Sequence, residues 1–277
     1  MTPETLTENI RNRSSFLCVG LDTDPSKLPG SLRSHPDGIF EFNKAIIDST
    51  KDLCVAYKIN TAFYEVLGAK GWEIMERTLA QIPPGHFTIA DAKRGDIGNT
   101  SAQYAKTFFE TYSFDAVTVS PYMGEDSIRP FLEYDNKFAI VLGLTSNKGA
   151  DDFEWSMTDG KPLYQKVLSR VASWSTPGRL MFVAGATRAA ELEKIREIVP
   201  EHFLLVPGVG AQGGSLQEVA KHGMNKNIGL LVNVSRDILY AGSGDEFASK
   251  ARESAQRYQA QMAAQVAAFD TQAQTIK

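Results

Sequence analysis

Short apolar runs rich in Val, Ile, Leu and Phe alternate along this chain with longer amphipathic segments. Roughly eight of these runs meet the length and bounding-turn criteria for strands. They occupy 16–21, 53–59, 87–90, 116–120, 138–144, 180–184, 203–207 and 230–234. Most are apolar at nearly every position, as expected of strands buried on both faces of a parallel sheet. The segments between them carry helical spacing. Ile39, Phe42 and Ile46 fall at i, i+3 and i+7, and Leu192, Ile195 and Ile198 repeat every three residues. Ser215, with Glu218 three residues on, has the form of a capping box and predicts a helix start. Tyr258, Met262, Val266 and Phe269 share one face of a last helix, expected over roughly 247–270 with a fraying tail.

About eight β/α units predict an α/β fold, a closed (β/α)8 TIM barrel, with 1–277 as a single domain. The rival is an open doubly wound sheet. The polar residues decide between them. The apolar runs end at Asp22, at Lys58, at Asp91 and Lys93, at Thr145-Ser146-Asn147, at Gly208-Val209-Gly210 and at Ser235-Arg236. In an open sheet only the ends near the switch point would matter, whereas in a barrel all of them meet at one mouth. The stretch 145–162, with Gly149, Asp151, Asp152, Asp159 and Gly160, reads as a mobile loop and candidate lid.

Composition narrows the function. The chain has 277 residues, 43% hydrophobic and 22% charged, so it can bury a sizeable core without disulfide or metal staples. Its net charge of −4 lacks the basic footprint of a nucleic-acid binder but leaves room for a locally basic pocket. No apolar run approaches the ~18 residues of a membrane helix, so no membrane association is expected. The opening Met1-Thr2-Pro3-Glu4 has neither the basic nor the apolar part of a signal peptide. Cys18 and Cys54 lie inside apolar runs and read as buried structural thiols, and the expected compartment is the cytosol.

The densest polar cluster is Asp91-Ala92-Lys93-Arg94-Gly95-Asp96. On an extended strand Asp91 and Lys93, at i and i+2, point the same way. Beside each other both stay ionised, and Lys58 at another strand end could join them. The plain alternative is a solvated loop with surface ion pairs, which the strand context and Lys58 disfavour. Pro207-Gly208-Val209-Gly210-Ala211-Gln212-Gly213-Gly214 precedes a capped helix, where glycines and a helix N-terminus suit an anion. Its place after the seventh strand is where barrels build phosphate sites, and Arg236 after the eighth would complete the grip. The histidines, His35, His86, His202 and His222, are scattered and show no metal-ligand spacing. Ser146 lacks a nucleophile-elbow context. Trp72, Trp155 and Trp174 read as packing residues.

The segment DAKRGDIGNT at 91–100 resembles the signature of orotidine 5′-phosphate decarboxylases, in the DAKRGDI form of a longer bacterial subgroup. LCVGLDTDP around Asp22, AYKINTAFYE around Lys58, TSNKGADDF around Ser146, PGVGAQGG around Gln212 and NVSRDILYA around Arg236 follow in family order. The resemblance implies a barrel, as a homodimer, that converts orotidine 5′-phosphate to UMP and CO2 with no metal and no cofactor. It implies that Lys58, Asp91, Lys93 and Asp96 form an alternating charged tetrad, with Lys93 protonating C6 and Asp91 against the substrate carboxylate. Asp96 would cross to the partner's site; a turn at Gly95 also allows it to leave its own barrel axis. Asp22 and Lys58 would hold ribose hydroxyls with Thr100 nearby, and Ser146 the pyrimidine edge. Gln212 and Arg236 would grip the phosphate, with Gly210 and Ser235 among the binding positions. Lys148 departs from the proline expected after the TSN triplet, which bears on the lid, and Arg94 has no assigned role.

Two other functions compete. A hexulose-phosphate synthase-like enzyme of the same barrel group would need Mg²⁺ to stabilise an enediolate, and no extra carboxylate or histidine cluster accompanies Asp91 and Asp96. A non-catalytic nucleotide-binding barrel would not require the array of Lys58, Asp91, Lys93 and Asp96.

Overall fold

The computed structural model describes residues 1–210 and 213–275. Eight parallel strands close a barrel: β1 Leu17–Gly20, β2 Ala56–Asn60, β3 Phe87–Arg94, β4 Ala116–Val119, β5 Phe138–Leu144, β6 Leu180–Ala184, β7 Phe203–Pro207 and β8 Leu230–Val234. They neighbour one another in chain order, and β8 returns to β1, so the closed barrel and not the open sheet is the fold. β1, β4, β6 and β8 are buried at every position, which is why their sequences read as nearly continuous apolar runs, broken only by Thr118 and Asn233. Two strands differ from expectation by more than one residue at an end. β2 begins at Ala56 because Leu53 still belongs to the preceding turn, its N–H donating to the Thr50 carbonyl. β3 runs on to Arg94, through the polar cluster rather than stopping before it.

Two compact bodies are distinguishable, residues 8–91 with 233–277, and residues 1–7 with 92–232. In the first, helices Gly38–Thr50, Ala69–Gln81 and Phe247–Thr275 supply the cover. Phe42 stacks on Phe247 at 4.9 Å and on Tyr240 at 6.3 Å, and with buried Ile46 and Met75 it forms an apolar layer. Each such side chain contributes about 1.5–3 kcal/mol of transfer free energy. Asn43 is fully buried and satisfied: its amide donates to the Tyr64 hydroxyl (2.9 Å) and Thr78 Oγ1 (3.1 Å), and its Oδ1 accepts from Thr23 Oγ1 (2.6 Å). The Tyr64 hydroxyl in turn donates to the Leu21 carbonyl (2.9 Å), fixing the chain one residue before Asp22. The last helix extends to Thr275, past the expected 270, with Met262 and Val266 buried. Cys18 and Cys54 are free thiols in this body; burial pushes the Cys18 thiol up strongly and the Cys54 thiol up to about 12.

In the second body, helix Gly98–Lys106 runs into a π-helical turn at Thr107–Thr111, and helices Leu163–Ala172, Glu191–Ile198 and Leu216–Gly223 follow. Ser215 caps the last of these, its Oγ accepting from the Glu218 N–H at 3.3 Å. The box is only half made, because the Glu218 carboxylate contacts His222 Nε2 (3.1 Å). At the start of β7, the half-buried Arg196 guanidinium donates to the carbonyls of Gly223, Val199, His202 and Gly229; desolvation holds it down to about 9, and His202 beside it down to about 4. Both groups sit where a strand begins, the end that builds stability rather than chemistry.

The stretch 145–162 is not an irregular loop. It folds as a helical turn, Ala150–Phe153, and a two-stranded hairpin, Met157–Thr158 against Lys161–Pro162. Asp159 (φ 53°) and Gly160 (φ 77°) both take positive φ, as a two-residue type I′ turn demands. Glu154 ties it to the end of β5, accepting from the Thr145 N–H and hydroxyl at 2.7 Å each. Arg188 holds it from the other side, pairing with Asp151 at 2.6 Å and lying 4.8 Å from the Trp155 ring. Lys148 is exposed, and its carbonyl accepts from the Asp151 N–H (3.2 Å) within this local structure.

Candidate active site

Strand ends of the body 8–91 with 233–277 bring four predicted residues together. Lys58, in β2, is only 4% exposed and stands between two carboxylates, with Nζ 3.0 Å from Asp22 Oδ1 and 3.1 Å from Asp91 Oδ2. Asp22 follows β1 and also accepts from the Asn60 N–H (3.2 Å) and the Ser235 hydroxyl (2.8 Å). Asn233 completes the chain, its amide donating to Ser235 Oγ at 3.2 Å. This approach of β1 and β8 requires Gly20, since a Cβ there would lie 1.9 Å from Ser235 Oγ. Asp91 is set by register, opposite Asn60 on β2, and its carbonyl accepts from the Thr61 N–H (3.3 Å).

The electrostatics are those of a fixed, ionised cluster. Burial opposes the charge on Lys58, but the Asp22 and Asp91 carboxylates outweigh it and hold the ammonium above the ordinary lysine range. Removing one member of such a buried set leaves uncompensated charge, a cost of about 3–5 kcal/mol. Ser235, expected as a substrate contact, is bonded to Asp22 here and orients that carboxylate. Arg236 is the next residue, exposed at the start of the short helix Arg236–Leu239. Its guanidinium has no hydrogen-bond or ion-pair partner among the described residues.

Lys93 lies two residues past Asp91 on the same strand, and its φ is +46°, a left-handed backbone where an extended one was expected. The left-handed conformation costs a non-glycine residue about 1–2 kcal/mol. The Lys93 N–H donates to Thr118 Oγ1 at 2.9 Å, a contact that sequence reasoning missed. Its signal was a lone hydroxyl in the otherwise apolar β4. Asp96 is half-buried just before helix Gly98–Lys106, with Oδ1 accepting from the Ile97 N–H (2.8 Å). Thr100 is exposed in that helix. Ser146 follows β5 and is half-buried; Gly185 lets its backbone come close, because a Cβ there would meet Ser146 N at 2.8 Å.

In the glycine-rich loop, Gly208, Gly210 and Gly213 all take positive φ (99°, 75° and 86°). The loop closes on itself: the Gly210 N–H donates to the Gly214 carbonyl (3.2 Å), and the Gly214 N–H to Gly208 (3.0 Å). Gln212 lies outside the described residues. Among the described residues no group of three or more His, Cys, Asp or Glu side chains could hold a metal ion. Likewise no helix among them is long and apolar enough to cross a membrane.

Three comparisons with known proteins bear on this arrangement. Residues 15–251 match the family described as orotidine 5′-phosphate decarboxylase / HUMPS. The chain is 58% identical over 266 residues to an orotidine 5′-phosphate decarboxylase of Flavobacterium johnsoniae, covering 95% of this chain and 97% of that protein. It is 55% identical over 273 residues to the protein of that name from Bacteroides fragilis, covering 97% and 100%. Among solved structures, the OMP decarboxylase of Leishmania donovani superposes with a TM-score of 0.79 at 34% identity, covering 94% of this chain and 99% of that one.

Proposed function

The chain belongs to the orotidine 5′-phosphate decarboxylase / HUMPS family and is a decarboxylase of orotidine 5′-phosphate, forming UMP in pyrimidine biosynthesis; from that premise we propose that it works without metal or organic cofactor and that Lys93 protonates C6. The observation that carries this reading is Lys58 clamped between Asp22 and Asp91, with Lys93 two residues further along the strand that holds Asp91.

When the bond from C6 to the carboxylate carbon breaks, its electron pair stays on C6 and CO2 leaves. The Lys93 ammonium stabilises that developing charge and transfers a proton to it. Asp91, ion-paired with Lys58, stands against the substrate carboxylate, a repulsion that ends as CO2 departs. Because Lys58 is itself fixed from two sides, the charges need no reorganisation during the reaction. Asp22 and Lys58 take ribose hydroxyls with Thr100 near them, and Ser146 takes the pyrimidine edge. Arg236, Gln212 and the Gly210 backbone take the phosphate, which must compete with the bond from Gly210 to Gly214. Arg236→Ala should therefore weaken turnover of the phosphorylated substrate and leave a phosphate-free one nearly unaffected. In this reading Asp96 enters the site of a partner subunit in a homodimer.

Synthase-like chemistry would need Mg²⁺, so dependence on a metal tests the proposed metal-free mechanism. Orotate absorbance should fall at an unchanged rate when protein and orotidine 5′-phosphate are mixed in excess EDTA. Activity lost in EDTA and restored by Mg²⁺ would overturn the metal-free mechanism.

A further inference from the structure

We propose that Thr118 and Arg94 are positioning residues for Lys93, holding the left-handed turn that aims its ammonium at the reacting carbon. The inference rests on the reading of Lys93 as proton donor.

A strained backbone conformation persists only where its surroundings over-determine it. At Lys93, with φ +46°, three bonds do so. The Lys93 N–H donates to Thr118 Oγ1 at 2.9 Å, and Thr118 is buried in β4. Arg94 Nη1 donates to the Ala92 carbonyl at 2.9 Å, so the residue after Lys93 reaches back across it to the residue before. The Arg94 carbonyl accepts from the Ser120 N–H at 2.8 Å. The guanidinium is held in turn by two rings one helical turn apart. It lies 5.3 Å from the centre of Tyr104 and 5.6 Å from that of Phe108, where helix Gly98–Lys106 passes into its π-helical turn.

These features also explain residue types that packing does not. Thr118 is the one polar residue in Ala-Val-Thr-Val, where another aliphatic side chain would fill the space equally well. Arg94 uses its fork to grip a backbone carbonyl while stacking on aromatics, which a lysine could not do in the same geometry. The positive φ at Lys93 sets the direction in which its side chain leaves the strand. A displacement of ~1 Å at a reacting group can cost on the order of 10²-fold in rate.

The test compares Thr118→Val, Thr118→Ser and Arg94→Met, with kcat normalised to sites titrated by UMP. Thr118→Val and Arg94→Met should lower kcat roughly 10- to 100-fold while KM stays within about threefold. Thr118→Ser, which keeps the acceptor, should restore most of the loss. The proposal is overturned if both disruptive variants keep kcat within about twofold of wild type. It is also overturned if only the number of titratable sites falls, or if Thr118→Ser loses as much as Thr118→Val. Should the valine variant not fold, Arg94→Met carries the test. Lys93→Ala, measured alongside, separates the two levels. Full activity there would remove the proton donor itself, whereas an inactive Lys93→Ala with unimpaired Thr118→Val and Arg94→Met would remove only the positioning.

Discussion

Lys93→Ala should abolish turnover of orotidine 5′-phosphate while binding of UMP survives. In the role proposed for Lys93, the alanine would remove both the charge that faces the developing carbanion and the proton that quenches it. General acid catalysis is worth about 10²–10⁴-fold, and one electrostatic donor in a preorganised site about 10²–10³-fold. A fall in kcat of at least about 10⁴ is the expected result, since the two losses fall on one group. Binding should survive because the proposed ribose and phosphate contacts lie elsewhere: Asp22 keeps its bonds to Lys58, Asn60 and Ser235, and Arg236 stands at the end of another strand. Steady-state kinetics beside equilibrium UMP binding measures both, and a kcat near that of the wild type would sink the assignment.

Asp96→Ala alone should likewise be inactive, but mixing it with Lys93→Ala should return roughly a quarter of wild-type activity after subunit exchange, because in the proposed twofold dimer each partner would lend the other the same patch. In a mixed dimer, the site that keeps Lys93 receives an intact Asp96 from the Lys93→Ala chain, and the other site lacks both. Random exchange makes about half the dimers mixed, each with one good site of two. The motive in this chain is the position of Asp96, beyond the exposed Gly95 and beside Ile97, an apolar side chain left 57% exposed. If Asp96 serves its own chain, every site in the mixture lacks one essential group. Confirmed exchange with no recovered activity would then show that the site is not shared.

Much of this was legible in the amino-acid sequence, for identifiable reasons. The eight strands read clearly because a strand buried on both faces has almost no polar positions, and β5 through β8 have the expected bounds. The cluster of Asp22, Lys58 and Asp91 was legible because charged residues at the ends of apolar runs have few reasons to be there other than chemistry. The hairpin at Met157–Thr158 and Lys161–Pro162 was not, since two-residue strands carry no periodicity; the Asp159-Gly160 dipeptide was the signal that should have prompted it. The turn at Lys93 was hidden for the opposite reason. Alternation within a strand is a rule about extended residues, and lysine gives no warning of a positive φ. Ser235 shows a further limit. Its place near the site could be inferred, but its bond to Asp22 depends on the missing side chain of Gly20, a long-range fact that no local pattern contains.

Whether the chain's own charged side chains expel CO2 and supply the proton that replaces it is read most directly from turnover of orotidine 5′-phosphate in D2O, with orotate absorbance followed and the product analysed by mass and NMR. One UMP is expected for each CO2 released, with a single deuterium at C6, because the Lys93 ammonium, as the proposed proton donor, would exchange with solvent before transferring its proton. Unchanged absorbance, or UMP whose C6 carries no solvent deuterium, would contradict it.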